Sequence, residues 1–208
     1  VNSIKERDRE RLYGYMKLSI DVLFGTHTNM DVPLTTMALI RGNALGAGFE
    51  GALACDYLVA EKSVQLGFPE VLFNMFPGMG AYSFLSRRIS PVQVERMILS
   101  GRIYTAEELY EMGVVDVIAE DGCGVDEVNR FIKKHERNRN TKNALLKIRN
   151  RVNPVRYEEL LDIGEIWVDA AMRLTSKELK VMERLIRSQD KMAKTLVQTA
   201  VTVYENSG

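Results

Sequence analysis

A net charge is what this sequence lacks: Lys plus Arg and Asp plus Glu both number 28 in 208 residues. With no overall field, nothing draws the chain to nucleic acid or to an anionic membrane, and neither is an expected partner. Cysteine is scarce, and Cys55 and Cys123 lie far apart with no second pair to complete a metal knuckle. That favours a reduced, cytoplasmic protein. Histidine is as rare, since His27 and His135 stand alone, so no metal ligand set is expected. No run approaches the ~20 apolar residues of a membrane span. The opening VNSIKERDRERL is charged where a signal peptide needs an apolar core. The familiar nucleotide-binding loops are not expected, and GxxxxGK[ST] does not occur.

What is present suits an ordinary globular core. The chain is 46% hydrophobic and 27% charged, enough for one domain with an appendage. Apolar residues at Leu12, Tyr15, Met16, Ile20, Leu23 and Phe24 predict an amphipathic helix from Arg9 to Phe24, ending near Gly25. After Pro33, LTTMALI reads as a buried strand that empties into the Gly-rich RGNALGAG. A short helix is expected from about Ala47 to Cys55. Two extended pieces in DYLVAEKSVQLG, a loop, a second Gly-rich turn at Pro77 to Gly80 and another helix follow. Strands alternating with helices predict an α/β class.

From Ser90 onward the pattern becomes helical with legible punctuation. Ser90-Pro91 is an N-cap with Pro at the first helical position, and Thr105 with Glu108 makes a capping box closed by Gly113. VVDVIA is a short strand, DEVNRFIKKHERNRN and TKNALLKIRN are charged helices, and PVRYEELLDIGEIWVDAAMRL is a longer one. A further box, Thr175 with Glu178, opens a helix whose Leu179, Met182, Leu185 and Ile186 form an apolar stripe for a neighbouring core or subunit. The small, polar tail after Met192 is expected to fray. The expected division is a core over 1–120 and a helical region over 121–208.

Chemistry concentrates in ALGAGFEGALACDYLVA. Gly46 and Gly48 let the backbone turn tightly and approach another group. A Gly-rich turn opening a helix presents free N–H groups at the positive end of the helix dipole, where an oxyanion can sit. Glu50, two residues on, places a carboxylate beside that site, which suggests proton transfer next to a polarised carbonyl. A second acid, Glu70, follows in LGFPEVLF among apolar neighbours. Two poorly solvated carboxylates that converge couple, and one keeps its proton near neutral pH. Each residue also has a plainer reading: Glu50 as a surface partner of the helix dipole, Glu70 as an exposed loop acid, Gly46 and Gly48 as helix-packing residues.

Taken together, GNALGAGFEGALACDYLVAEKSVQLGFPEVLFNMFPGMGAYSFLSRR and SGRIYTAEELYEMGVVDVIA resemble the central block of the crotonase, or enoyl-CoA hydratase/isomerase, superfamily over roughly half the chain. The resemblance implies a crotonase-like ββα spiral core with a C-terminal helical domain. It implies catalytic roles for Glu50 and Glu70 and an oxyanion-hole N–H at Ala47, where the family often has Gly. FPEVLFNMFPGMGAYSFLSRR and AMRLTSKELKVMERLIRSQDK look similar to the synthases of diffusible signal factors, cis-2-unsaturated fatty acids used in bacterial cell–cell signalling. That branch implies dehydration of a 3-hydroxyacyl thioester on acyl carrier protein, then thioester hydrolysis. The alternatives are an ordinary enoyl-CoA hydratase or isomerase, or a non-catalytic crotonase-like interaction protein. An acyl tail needs an apolar tunnel, for which the candidates are Leu72, Phe73, Met75, Phe76, Gly78, Met79 and Phe84, each with ordinary core as its plainer role. No cofactor is expected beyond the CoA or phosphopantetheine of the substrate, and trimers or hexamers are the expected assemblies. Crotonases begin with strand–turn repeats that supply the other oxyanion donor, and nothing matching them precedes Val1, so these residues alone are expected to hold an incomplete active site.

Overall fold

The computed structural model describes residues 1–188 of the 208, so the tail after Met192 lies outside the described residues. Helix α1 (Asn2–Lys5) leads into α2 (Arg9–His27), whose N-cap Asp8 accepts a hydrogen bond from the Arg11 N–H at 2.9 Å. α2 runs past Gly25 to His27, two residues beyond the expected stop. Of the run LTTMALI only β1 (Met37–Ile40) is strand. Thr36 is bound sideways instead: its N–H donates to the Asp56 carboxylate at 3.0 Å, and its hydroxyl accepts from the Asp56 N–H at 3.1 Å. Such side-chain bonds compete with the ladder and end it there.

Beyond β1 come β2 (Ala44–Leu45), α3 (Ala47–Leu53), β3 (Tyr57–Glu61) and β4 (Gln65–Gly67). A 3-10 turn spans Pro69–Phe73, where the sequence suggested an open loop. Then follow α4 (Ala81–Leu85), α5 (Pro91–Ser100), β5 (Ile103–Thr105), α6 (Ala106–Glu111) and β6 (Val117–Ala119). β1, β3 and β6 form a parallel sheet in the order β1-β3-β6, with Met37 opposite Tyr57 and Val59 opposite Val117. Leu58, Val59 and Ala60 of the central strand are fully buried, as a parallel strand covered on both faces requires. The second sheet, β2-β4-β5, is mixed: Leu45 lies opposite Gly67 in the parallel pair, and β5 runs antiparallel to β4.

After β6 the described chain is helical: α7 (Gly124–Glu136), α8 (Arg139–Val152), α9 (Tyr157–Met172) and α10, over 176–188. The punctuation holds at Ser90, Thr105 and Thr175, each of which faces an N3 side chain in a reciprocal cap, with Gln93, Glu108 and Glu178. Leu12, Met16 and Ile20 of α2 pack into the core that also takes Leu160 and Val168 of α9. Leu179 and Met182 of α10 are buried in that same core, so half of the apolar stripe serves the chain itself. Among the described residues no helix is long and apolar enough to cross a membrane.

One contact matters most for function. The rings of Phe49 and Phe68 are buried and stacked with centroids 5.0 Å apart. Phe49 precedes Glu50 in α3 and Phe68 leads through Pro69 to Glu70. An aromatic pair adds about 0.5–1.5 kcal/mol beyond its area burial. Here that stacking holds the two acid-bearing turns against each other.

Candidate active site

Gly46 ends β2 and caps α3 with φ 56° and ψ −125°, a conformation that costs an L side chain dearly. Its N–H donates to the Gly67 carbonyl at 3.0 Å, and a Cβ there would collide with Glu70 Oε1. The positive φ is what requires glycine, while the Glu70 carboxyl, the far end of a flexible side chain, would have to shift to admit a Cβ. The turn sends the Gly46 carbonyl to the N–H groups of Phe49 and Glu50, at 2.9 and 3.0 Å. The Ala47 and Gly48 amides, first in α3, have no acceptor among the described residues.

Glu50 is 3% exposed, which excludes a surface role beside the helix dipole. Its Oε1 accepts hydrogen bonds from the N–H groups of Met79, at 2.8 Å, and Ala81, at 3.0 Å. The second Gly-rich turn therefore exists to aim backbone donors at this carboxylate. Burial raises the Glu50 pKa, while the amides of Ala81, Met79 and Gly80 pull it back by favouring the charged form.

Glu70 has less help. Its Oε2 is buried without a hydrogen-bond partner among the described residues. Burial pushes its pKa up to about 8, the negative charge of Glu50 adds to the rise, and its own backbone opposes it. At neutral pH Glu70 therefore keeps its proton.

Both carboxyls open on one cavity of about 750 Å³, within the range of small-molecule sites. Gly46, Ala47, Gly48, Phe73, Met75, Phe76, Gly78 and Met79 line it with them, so most of the residues singled out from sequence share one space. Leu72 and Phe84 do not line it. In a 3-10 turn residues three apart eclipse, so Glu70 and Phe73 share the inner face while Leu72 points outward and is 57% exposed. Phe84 faces the other way into the core, where its ring lies 5.2 Å from that of His27.

The sequence reading missed the cavity's opposite wall. Ile4, Leu12 and Tyr15 of α1 and α2, Trp167 of α9, and Met182, Leu185 and Ile186 of α10 complete it. Trp167 packs so closely on the Pro77 to Gly80 turn that a Cβ on Gly78 would meet its indole. The pairing of Gly78 with the single tryptophan was the available signal, since glycine often marks close approach. Gly46 to Gly51 also spells G-x-G-x-x-G, a pattern not noted above. The strands on either side of α3, β2 and β3, belong to different sheets, so the motif does not open the βαβ unit that fingerprint requires and no nucleotide reading follows.

Chemically, such an arrangement can offer amide donors to a carbonyl oxygen that gains negative charge, with two carboxyls on the same cavity able to take or give a proton. The chain matches the enoyl-CoA hydratase/isomerase family over residues 3–151. It is 38% identical over 90 residues to the fatty acid oxidation complex subunit alpha of Idiomarina loihiensis, covering 43% of this chain and 12% of that protein. It is 37% identical over 109 residues to the mevalonyl-coenzyme A hydratase of Beauveria bassiana, covering 52% of this chain and 39% of that one. An enoyl-CoA hydratase from Mycobacterium marinum superposes with a TM-score of 0.54 at 25% identity, over 79% of this chain and 60% of its own. One from Thermoplasma volcanium shares the fold with a TM-score of 0.59 at 18% identity, over 83% and 67%. The chain thus spans less than half of the curated relatives it matches.

Proposed function

The chain belongs to the enoyl-CoA hydratase/isomerase family, and from that premise we propose that it carries the catalytic half of an acyl-thioester enzyme acting on medium or long acyl chains. The observation that carries this reading is a pair of glutamates on one largely apolar cavity beside the free Ala47 amide, Glu50 buried and hydrogen-bonded and Glu70 part-buried with its Oε2 unpartnered among the described residues.

In dehydration of a 3-hydroxyacyl thioester, one carboxylate takes the α-proton as the other carboxyl protonates the departing hydroxyl, which leaves as water. The Ala47 N–H stabilises the enolate oxygen between the two events. Either direction of the reaction needs one proton shared by two carboxyls. That is the state a Glu70 pKa of about 8 beside an amide-stabilised Glu50 supports. If water then attacks the thioester carbonyl, the same amide holds the tetrahedral oxyanion, a carboxylate accepts the water proton, and the thiol leaves carrying one. The product is a free 2-unsaturated acid, as expected of a diffusible-signal-factor synthase.

The cavity supports the choice of long tails. Each buried methylene contributes about 0.8 kcal/mol, and Phe73, Phe76, Met79, Trp167 and Leu185 offer apolar contact well beyond the glutamates. The second reading, plain hydration of enoyl-CoA, is favoured by the hydratase names of the relatives. Mass spectrometry separates the two. A 3-hydroxyacyl carrier-protein thioester of roughly ten to fourteen carbons, given to the whole protein, should yield free 2-unsaturated acid. Rapid crotonyl-CoA hydration with no free acid from the long substrate would establish the plain hydratase instead.

A further inference from the structure

A second cavity has a volume of about 390 Å³. It opens beside Met37 and Tyr57, the first residues of β1 and β3, and is roofed by α7 and α8. It shares no lining residue with the cavity of the two glutamates. Its walls are apolar and aromatic: Leu34, Met37, Tyr57, Phe131 and Leu146. Leu34 is 56% exposed, so the rim leaves apolar surface in water.

Charge there is unbalanced. Arg139 and Lys142 line the cavity against one acid, Glu136, and neither cation has an ion pair among the described residues within 1–188. Lys142 Nζ stands 5.3 Å over the Phe131 ring, at the boundary between the apolar floor and the charged edge. Its pKa is lowered by burial and by the like charge of Lys134, and a bound anion would oppose both effects. On α8, Arg139, Lys142, Asn143 and Leu146 recur at three and four and share the face turned to the cavity.

We propose that this cavity is a second binding site, for an amphipathic carboxylate: the apolar chain lies on Tyr57, Phe131 and Leu146, and the carboxylate is held by Lys142 and Arg139. A nucleotide fits less well, because the walls offer few groups to read a base edge. A protein partner is disfavoured because a pocket of this volume is of small-molecule size.

Trp167, the single tryptophan of the 208 residues, lines the other cavity, so its fluorescence reports that site and is blind to this one. The experiment is calorimetric titration of the whole protein with decanoate, with Trp167 emission followed in parallel. A binding event silent in fluorescence is expected. Reversing the exposed Arg139 and the part-buried Lys142, Arg139→Glu with Lys142→Glu, should weaken that event roughly 10–100-fold, the loss of charge-assisted hydrogen bonds, and leave any Trp167-linked event unchanged. Decanol, which keeps the tail and drops the carboxylate, should bind the silent site of the wild-type protein at least about tenfold more weakly. The inference is overturned if no silent event occurs, if it survives charge reversal, or if decanol binds there as well as decanoate. An event confined to Trp167 would concern the catalytic cavity alone and would refute the second site while leaving the proposed reaction untouched.

Discussion

Replacing Glu70 by Gln removes a titrating group and keeps its shape, and the consequences can be worked out in sign and size. The Glu70 pKa stands at about 8 in the folded protein against an ordinary 4.5. Below 4.5 the carboxyl is neutral in both folded and unfolded chains, so it adds no pH dependence there. Between 4.5 and 8 the unfolded chain releases a proton that the folded chain keeps, so stability falls as pH rises. Above 8 both forms are ionised and the curve flattens. The gap corresponds to a loss of about 4–5 kcal/mol across that window. Glu70→Gln should abolish this part of the slope, and the variant should gain on the wild type as pH rises. Urea unfolding at a series of pH values gives the two curves. Taking their difference cancels His27, whose pKa burial lowers, and leaves Glu50, whose pKa burial raises, only through its coupling to Glu70. Parallel curves would refute the claim that burial keeps Glu70 protonated.

Other expectations follow from the same geometry. Glu50→Gln retains an oxygen for the Met79 and Ala81 amides, so thermal melts should change little while the rate falls roughly 10²–10⁴-fold. Gly46→Ala should destabilise by about 1–3 kcal/mol through its positive φ, and should also displace the Glu70 carboxyl, so activity lost on a chain that still melts cooperatively is the outcome to look for. Phe84→Ala should cost about 3–5 kcal/mol as a core truncation without altering chain-length preference. Phe73→Ala should shift that preference, since only Phe73 lines the cavity. Competition assays with acyl chains of different length distinguish the two.

What the sequence made legible was local. The N-cap at Ser90 and the reciprocal caps at Thr105 and Thr175 need only side chains within three residues, so they were readable and are present, while Gln93, which makes the Ser90 cap reciprocal as well, was not read. The two glutamates and the Gly-rich turns stood out because those residue types at those positions carry chemistry. The direction a side chain faces was harder. Leu72 and Phe73 are adjacent and both apolar, and only the 3-10 turn decides that one lines the cavity and the other meets solvent. The far wall was hardly readable, its one signal being Gly78 with the single tryptophan. Ile4, Tyr15, Trp167 and Leu185 come from four helices that meet only after folding, and each has the apolar spacing of an ordinary core residue. The stripe on α10 illustrates the ambiguity: Leu179 closes the core, Met182 serves both core and cavity, and Leu185 and Ile186 reach the cavity.

The most direct test of a shared proton between Glu50 and Glu70 is a double-mutant cycle measured on a long-chain 3-hydroxyacyl thioester. Glu50→Gln and Glu70→Gln should each lower kcat by roughly 10²–10⁴, and the double variant should be no slower than the worse single one, because groups acting as a unit are not additive. Near-full activity in either single variant, or losses that multiply in the double, would contradict the account.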